Sequence, residues 1–154
     1  MTPHTAASAS TIASLHHPQS LPAWLPLDAL VAFLHHEMKP YQDTPEDIRR
    51  GILDALAPAP RGGGVHLAHR DGRLLGVVVM LRTGMAGYVP ENLLLFAAVR
   101  GDLRGGGIGR ELIAHAIAAV DGDVKLHVEP GNPALRLYQR LGFSAKYLDL
   151  RLTR

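Results

Sequence analysis

One junction narrows what this chain can fold into. The run "LLLFAAV" (Leu93–Val99) passes through "RGDLRGGG" into "IGRELIAHAIAAV", where Ile108, Leu112, Ile113, Ala116, Ile117 and Val120 recur on one helical face. A strand that is apolar on both faces belongs inside a sheet. Strand, glycine-rich loop and helix in succession make an anion site, because the first amides of a helix lack intrahelical partners and its dipole adds partial positive charge. Arg104 and Arg110 bracket the loop with further donors. A bare Gly-Gly-Gly taken alone reads first as a flexible turn, so the loop by itself promises no more than an anion.

The other elements read in order. Thr11 to Leu15 is a weak strand, and "LDALVAFLHHEM" brings Leu27, Leu30, Val31 and Leu34 to helical spacing. "TPEDIRRGILDAL" is a second helix with Thr44 as N-cap and Pro45 in its first turn. "VHLAH" and "LLGVVVML" flank an Asp-Gly hairpin turn. "VKLHV" alternates, with Lys125, His127 and Glu129 opposite Val124, Leu126 and Val128. A fourth helix follows from Asn132, with Gly142 past its end, and "SAKYLDLRL" reads as a last strand with Leu148, Leu150 and Leu152 on one face. The order predicts an α/β (α+β) sandwich around a mixed sheet, in a single domain spanning 1–154 whose first ten residues or so read as partly disordered.

Composition excludes several classes. There is no Cys among the 154 residues, which removes disulfides, thiolate metal sites and a Cys nucleophile and fits a reducing cytoplasm. Sixteen Lys and Arg against 14 Asp and Glu give +2, too little to point to a nucleic acid. No apolar run approaches a membrane span, and no secretory signal is legible at the N-terminus. The pairs His16-His17 and His35-His36 read as non-ligands, since adjacent helical residues do not face one another, and no metal is expected.

Two familiar phosphate loops fail. No Gly-Lys-Ser/Thr follows, and Arg110 stands where the third Gly of Gly-x-Gly-x-x-Gly belongs. The stretch instead resembles the acetyl-CoA-binding motif of the GNAT superfamily of N-acetyltransferases, Arg/Gln-x-x-Gly-x-Gly/Ala, at Arg104, Gly107 and Gly109. Val99, Gly105 and Ile108 extend the match, while Gly101 replaces the usual Pro. A second motif of that family, "NPALRLYQRLGF", matches at Asn132, Tyr138, Gly142 and Phe143.

The resemblance implies a mixed, mostly antiparallel sheet of six to seven strands with helices on both faces. It also implies that the fourth and fifth strands splay to admit acetyl-CoA as cosubstrate. The cofactor's arm would pair with Ala97, Ala98 and Val99, with an Ala97 or Ala98 amide on the thioester oxygen. Its pyrophosphate would rest on Arg104, Gly105, Gly106, Gly107, Ile108, Gly109 and Arg110, with Asn132 touching the cofactor. Tyr138 would protonate the leaving thiolate, although without the motif it reads rather as a core tyrosine on the face of Ala134 and Leu141.

An alkylamine with pKa near 10 is only about one part in a thousand neutral at pH 7, so a base is useful. His127, Glu91, the weaker Glu129, or a water chain could serve. The first two helices and their connection (His35, His36, Glu37, Lys39, Tyr41, Asp43) would shape the acceptor pocket. The expectation is a cytoplasmic N-acetyltransferase for a primary amine, small molecule or peptide, acting by direct attack, with no nucleic-acid or membrane partner. The family often dimerises, but no interface is legible. The alternatives are another acyl-CoA, or CoA binding without turnover.

Overall fold

The sheet follows the chain. β1 (Thr11–Leu15), β2 (Gly63–Arg70), β3 (Arg73–Arg82), β4 (Asn92–Val99) and β5 (Val124–Leu126) lie side by side in that order. The computed structural model describes residues 10–154, so the expected N-terminal disorder falls almost entirely outside the described residues. The first three pairings are antiparallel and β4–β5 is parallel. A parallel pair needs a crossover, which α3 (Ile108–Ala118) supplies. At the β2–β3 turn Asp71 and Gly72 both take positive φ, 51° and 71°, the conformation that a two-residue hairpin requires.

Each face of the sheet carries its own core. α1 (Leu27–Glu37) and α2 (Pro45–Ala55) bury Leu30, Leu34, Ile48 and Ile52 against Val65, Leu67, Val77, Val79 and Phe96. On the other side α3 and α4 (Ala134–Arg140) set Leu112, Ile113, Ala116 and Tyr138 against Val78, Met80 and Leu94. A fully buried Leu or Ile contributes about 1.5–3 kcal/mol, so the alternation along β3 holds helices to both faces. No helix among the described residues is long and apolar enough to cross a membrane.

Two expectations need correction. Among the described residues the sheet has five strands rather than six to seven. "SAKYLDLRL" forms no strand: residues 144–154 make no backbone hydrogen bond among the described residues, and Leu148, Leu150 and Leu152 are 89%, 88% and 83% exposed. An alternating pattern makes a strand only where an edge receives it. For the same reason β5 stops at Leu126 instead of reaching Glu129, because its pairing to β4 runs out there.

Candidate active site

The β4–β5 ladder joins only Asn92–Leu94 to Val124–Leu126. It ends at a bulge: Val79 of β3 faces Phe96 and Met80 faces Leu94, so Leu95 is the extra residue. A bulge bends and twists its strand, and from it onward β4 and β5 part. The remaining β4 edge, from Leu95 to Val99, faces the opening without a strand partner among the described residues. The Arg100 amide turns back to the Leu75 carbonyl at 2.8 Å. Because peptide groups alternate along a strand, the Ala98 amide points to β3 as well, and those of Ala97 and Val99 point into the opening. Of the two amides named as oxyanion donors, that of Ala97 faces the opening and that of Ala98 faces β3.

At its end β4 runs into a single 3-10 turn, Gly101–Leu103, and then the glycine loop. Gly105 and Gly107 both sit at φ +87, a conformation costly for residues with a side chain, and Gly107 is the N-cap of α3. The first amide bonded back into the helix is that of Glu111, to the Gly107 carbonyl at 3.0 Å. The amides of Ile108, Gly109 and Arg110 are thus unclaimed by the backbone and clustered at the positive end of the helix. An exposed Arg110 stands beside them.

Arg104 reaches back across the loop to β4 and α1. Its Nε donates to the Val99 carbonyl at 3.3 Å, and its Nη2 donates to the Glu37 carbonyl and meets Glu37 Oε2 at 3.5 Å. Glu37, at the end of α1, also accepts the Gly101 amide at 2.8 Å. Arg104 and Glu37 together clamp the loop to α1. Nothing in the sequence pairs these residues; Glu37 was legible only as part of the acceptor region.

On the other wall, Asn132 Oδ1 accepts the Ala134 amide at 2.9 Å and caps α4, as its sequence position predicts. The Tyr41 hydroxyl donates to the Gly131 carbonyl at 3.0 Å, tying the α1–α2 connection to this motif. Tyr138 is buried, with its ring edge-on to Phe143 at 5.9 Å. Burial pushes its phenol above the ordinary tyrosine value, which keeps the proton on oxygen. The hydroxyl makes no hydrogen bond among the described residues.

The sequence profile of the Acetyltransferase (GNAT) domain matches residues 61–145, more than half of the chain. The chain belongs to the GNAT acetyltransferase family. A 5-NmdU N-acetyltransferase of Pseudomonas phage PaMx11 is 29% identical over 101 residues, covering 64% of this chain and 70% of the relative. Among solved structures, the aminoglycoside N-acetyltransferase AAC(6')-Iy in complex with CoA superposes with a TM-score of 0.67 at 13% identity, covering 96% of this chain and 97% of that one. The ribosomal-protein-alanine N-acetyltransferase of Brucella melitensis biovar Abortus 2308 gives 0.63 at 19%, covering 96% and 100%. At these identities the structural likeness shows the fold.

In this acetyltransferase the two candidate bases stand in different places. Glu91 precedes β4 at the closed end of the wedge, where its carboxylate accepts the Asp123 amide at 2.6 Å and packs against Gly122. Backbone hydrogen bonds, its own and that of Asp123, hold it below the usual glutamate value, which makes it a weak base. His127 lies just beyond β5, where the strands have parted. Partial burial, helped by Lys125, lowers its imidazole below the ordinary value. Its Nδ1 is 3.4 Å from Arg151 Nη2 and 3.9 Å from Asp149 Oδ2. A cavity of about 360 Å³ lined by Arg82, Glu91, Asn92 and Asp121 also belongs to the closed end, away from the loop.

Proposed function

We propose that the chain is an acetyl-CoA-dependent N-acetyltransferase for a primary amine. The observation that carries this reading is the continuity of the open β4 edge with the unclaimed amides of the glycine loop. A thioester arm needs an extended pairing edge and its pyrophosphate a cluster of donors, and the two are joined end to end here. The residues present fit such a substrate, with Ala97 and Val99 offering amides along the arm. Gly105 through Arg110 surround the phosphates, and Asn132 is on the facing wall.

The acceptor nitrogen attacks the thioester carbon; the C–N bond forms as the C–S bond breaks. The Ala97 amide stabilises the developing oxyanion. His127, neutral near pH 7 because its pKa is lowered, takes the proton from the amine, and Tyr138 donates its proton to the thiolate. Glu91 anchors the entry to β5 and moves no proton. The α1–α2 connection, held to both cofactor motifs through Glu37 and Tyr41, forms the acceptor side.

The test is release of free CoA from acetyl-CoA across a panel of amines, aminoglycosides, modified nucleosides and peptides with free N-termini, read with mass detection of the acetylated product. Turnover of at least one amine supports the reading. Acetyl-CoA binding without turnover points to a CoA-binding module, and turnover only with longer acyl-CoAs to a different acyl donor.

A further inference from the structure

The atom that a general base must keep free is already attended by two charges. Arg151 Nη2 lies 3.4 Å from His127 Nδ1, and Asp149 Oδ2 lies 3.9 Å from the same nitrogen. The guanidinium grips the carboxylate twice, Nη2 donating to Oδ2 at 2.8 Å and Nε at 3.1 Å. Asp149 first, and then Asp43 of the α1–α2 connection, hold that guanidinium above its ordinary value. Lys125 adds a second positive charge beside the imidazole. Two carboxylates and two cations, from three separate parts of the chain, therefore meet around His127. Arg151 is poorly anchored there. Its side chain is 70% exposed, and residues 144–154 make no backbone hydrogen bond among the described residues. Exposed ion pairs of this kind are weak, so the guanidinium can leave at small cost.

We propose that Arg151 is a resident stand-in for the acceptor: its guanidinium keeps the place of the acceptor's ammonium between His127 and Asp149, the acceptor binds by displacing it, and Asp149 is the carboxylate that then receives the ammonium. This rests on the reading of His127 as the base. A guanidinium does not give up its proton near neutral pH, so Arg151 can sit at the imidazole without reacting. An alkylammonium with pKa near 10 can pass a proton to Nδ1. Its freed nitrogen then attacks the thioester carbon, the C–N bond forming as the C–S bond breaks and Tyr138 protonating the thiolate. Once Arg151 has swung away, Asp43 and Asp149 outnumber Lys125, and a cation is what restores the balance. A neutral, weakly basic amine gains nothing from that exchange, so Asp149 selects charged alkylamines as acceptors. The C-terminal segment becomes the wall of the acceptor site opposite the α1–α2 connection, and Arg151 sets how strongly an acceptor must bind to open it.

The full chain is loaded with CoA, and binding of spermidine, a probe with several alkylammonium groups, is followed by NMR on the His127 ring. Steady-state kinetics with the best acceptor found run beside it. Arg151→Gln removes the competitor and should lower the spermidine dissociation constant and the acceptor KM about threefold, with the KM for acetyl-CoA unchanged. Arg151→Lys keeps a cation and should stay near the native values. Asp149→Asn should raise both constants about tenfold. Adding Arg151→Gln to it should change little more, because the competitor has already lost its anchor. An Arg151→Gln chain that binds the cation no better overturns the proposal, as does an Asp149→Asn chain that binds it equally well, or a His127 ring that spermidine never perturbs. The expected binding pattern with no amine turned over upholds the displacement and defeats the acetyltransferase reading; turnover with constants indifferent to both residues does the reverse.

Discussion

The Glu37 carboxylate accepts the Gly101 amide at 2.8 Å, and Gly101 stands where the family pattern has Pro. Proline has no amide hydrogen and holds such a turn by fixing its own φ. Here the same turn is held from outside, by a side chain 64 positions earlier that also meets Arg104. A sequence departure that reads as a loosened strand exit is thus compensated across the fold. Glu37→Ala removes an acceptor for both groups. Acetyl-CoA should bind about tenfold more weakly by calorimetry, within the range for a lost charge-assisted hydrogen bond, while the melting temperature changes little. Glu37→Gln keeps an oxygen for Gly101 and should fall between the two.

Tyr138→Phe separates chemistry from packing. The hydroxyl has no partner to lose among the described residues, and the ring contact with Phe143 is kept, so stability should hold. If the phenol protonates the thiolate, kcat falls about 100-fold while the KM for acetyl-CoA stays within a few-fold. Unchanged kcat removes the acid role.

The candidate bases make opposite predictions. His127 acts when neutral, and its pKa is lowered, so kcat/KM should rise with pH through a value below the 6.5 of a free imidazole and level off near pH 7. His127→Gln should lose that limb and much of the rate. Glu91→Ala should leave the profile in place and lower the melting temperature, because the Asp123 amide loses its acceptor. A collapse of rate in Glu91→Ala with an intact fold would return the base to Glu91.

How much of this was legible follows from how local each cause is. Thr44-Pro45 predicts a helix start because the capping bond lies within one turn, and Thr44 Oγ1 does accept the Asp47 amide at 3.1 Å. The glycine loop and the Asn132 cap are likewise local. The bulge at Leu95 is not, since "LLLFAAV" is apolar throughout and nothing in it marks which residue is extra. Arg104 reads as a phosphate ligand because its spacing to the glycines is visible, whereas its partner Glu37 is made a neighbour only by the packing of α1. The last strand failed for a related reason: alternation specifies a face, but whether another strand's edge comes within hydrogen-bonding reach is set by the tertiary fold.

His66 predicts a pH dependence of stability unrelated to catalysis. It is buried, its Nδ1 lies 2.9 Å from the Ser14 hydroxyl, and that hydroxyl also meets His115 Nε2 at 3.0 Å. Its Nε2 has no partner among the described residues. Burial first, then the neighbouring His115 and His16, lower its pKa from 6.5 to about 4. Between those values the unfolded chain binds a proton that the folded chain refuses, so stability is complete above pH 6.5 and falls as pH drops toward 4. The loss by pH 5 should be about 2 kcal/mol, seen as a lower melting temperature at pH 5 than at pH 7. His66→Gln should flatten that slope.

Gly51 tests whether the bulge is held in place by the helix above it. In the middle of α2, Gly→Ala would ordinarily stabilise by about 0.5–1 kcal/mol through helix propensity. A Cβ here would stand 2.5 Å from Leu95 Cδ2 and 2.8 Å from Phe96 Cε2, the bulge residue and its neighbour. Leu95 can turn its methyl away, but the Phe96 ring is buried and has little room. Overpacking of this kind costs about 1–3 kcal/mol, which exceeds the propensity gain. Gly51→Ala should therefore lower stability in urea unfolding. Because the strain falls where β4 leaves β5, the same substitution should raise the KM for acetyl-CoA; a stabilised variant with an unchanged KM would show that α2 does not set the position of the bulge.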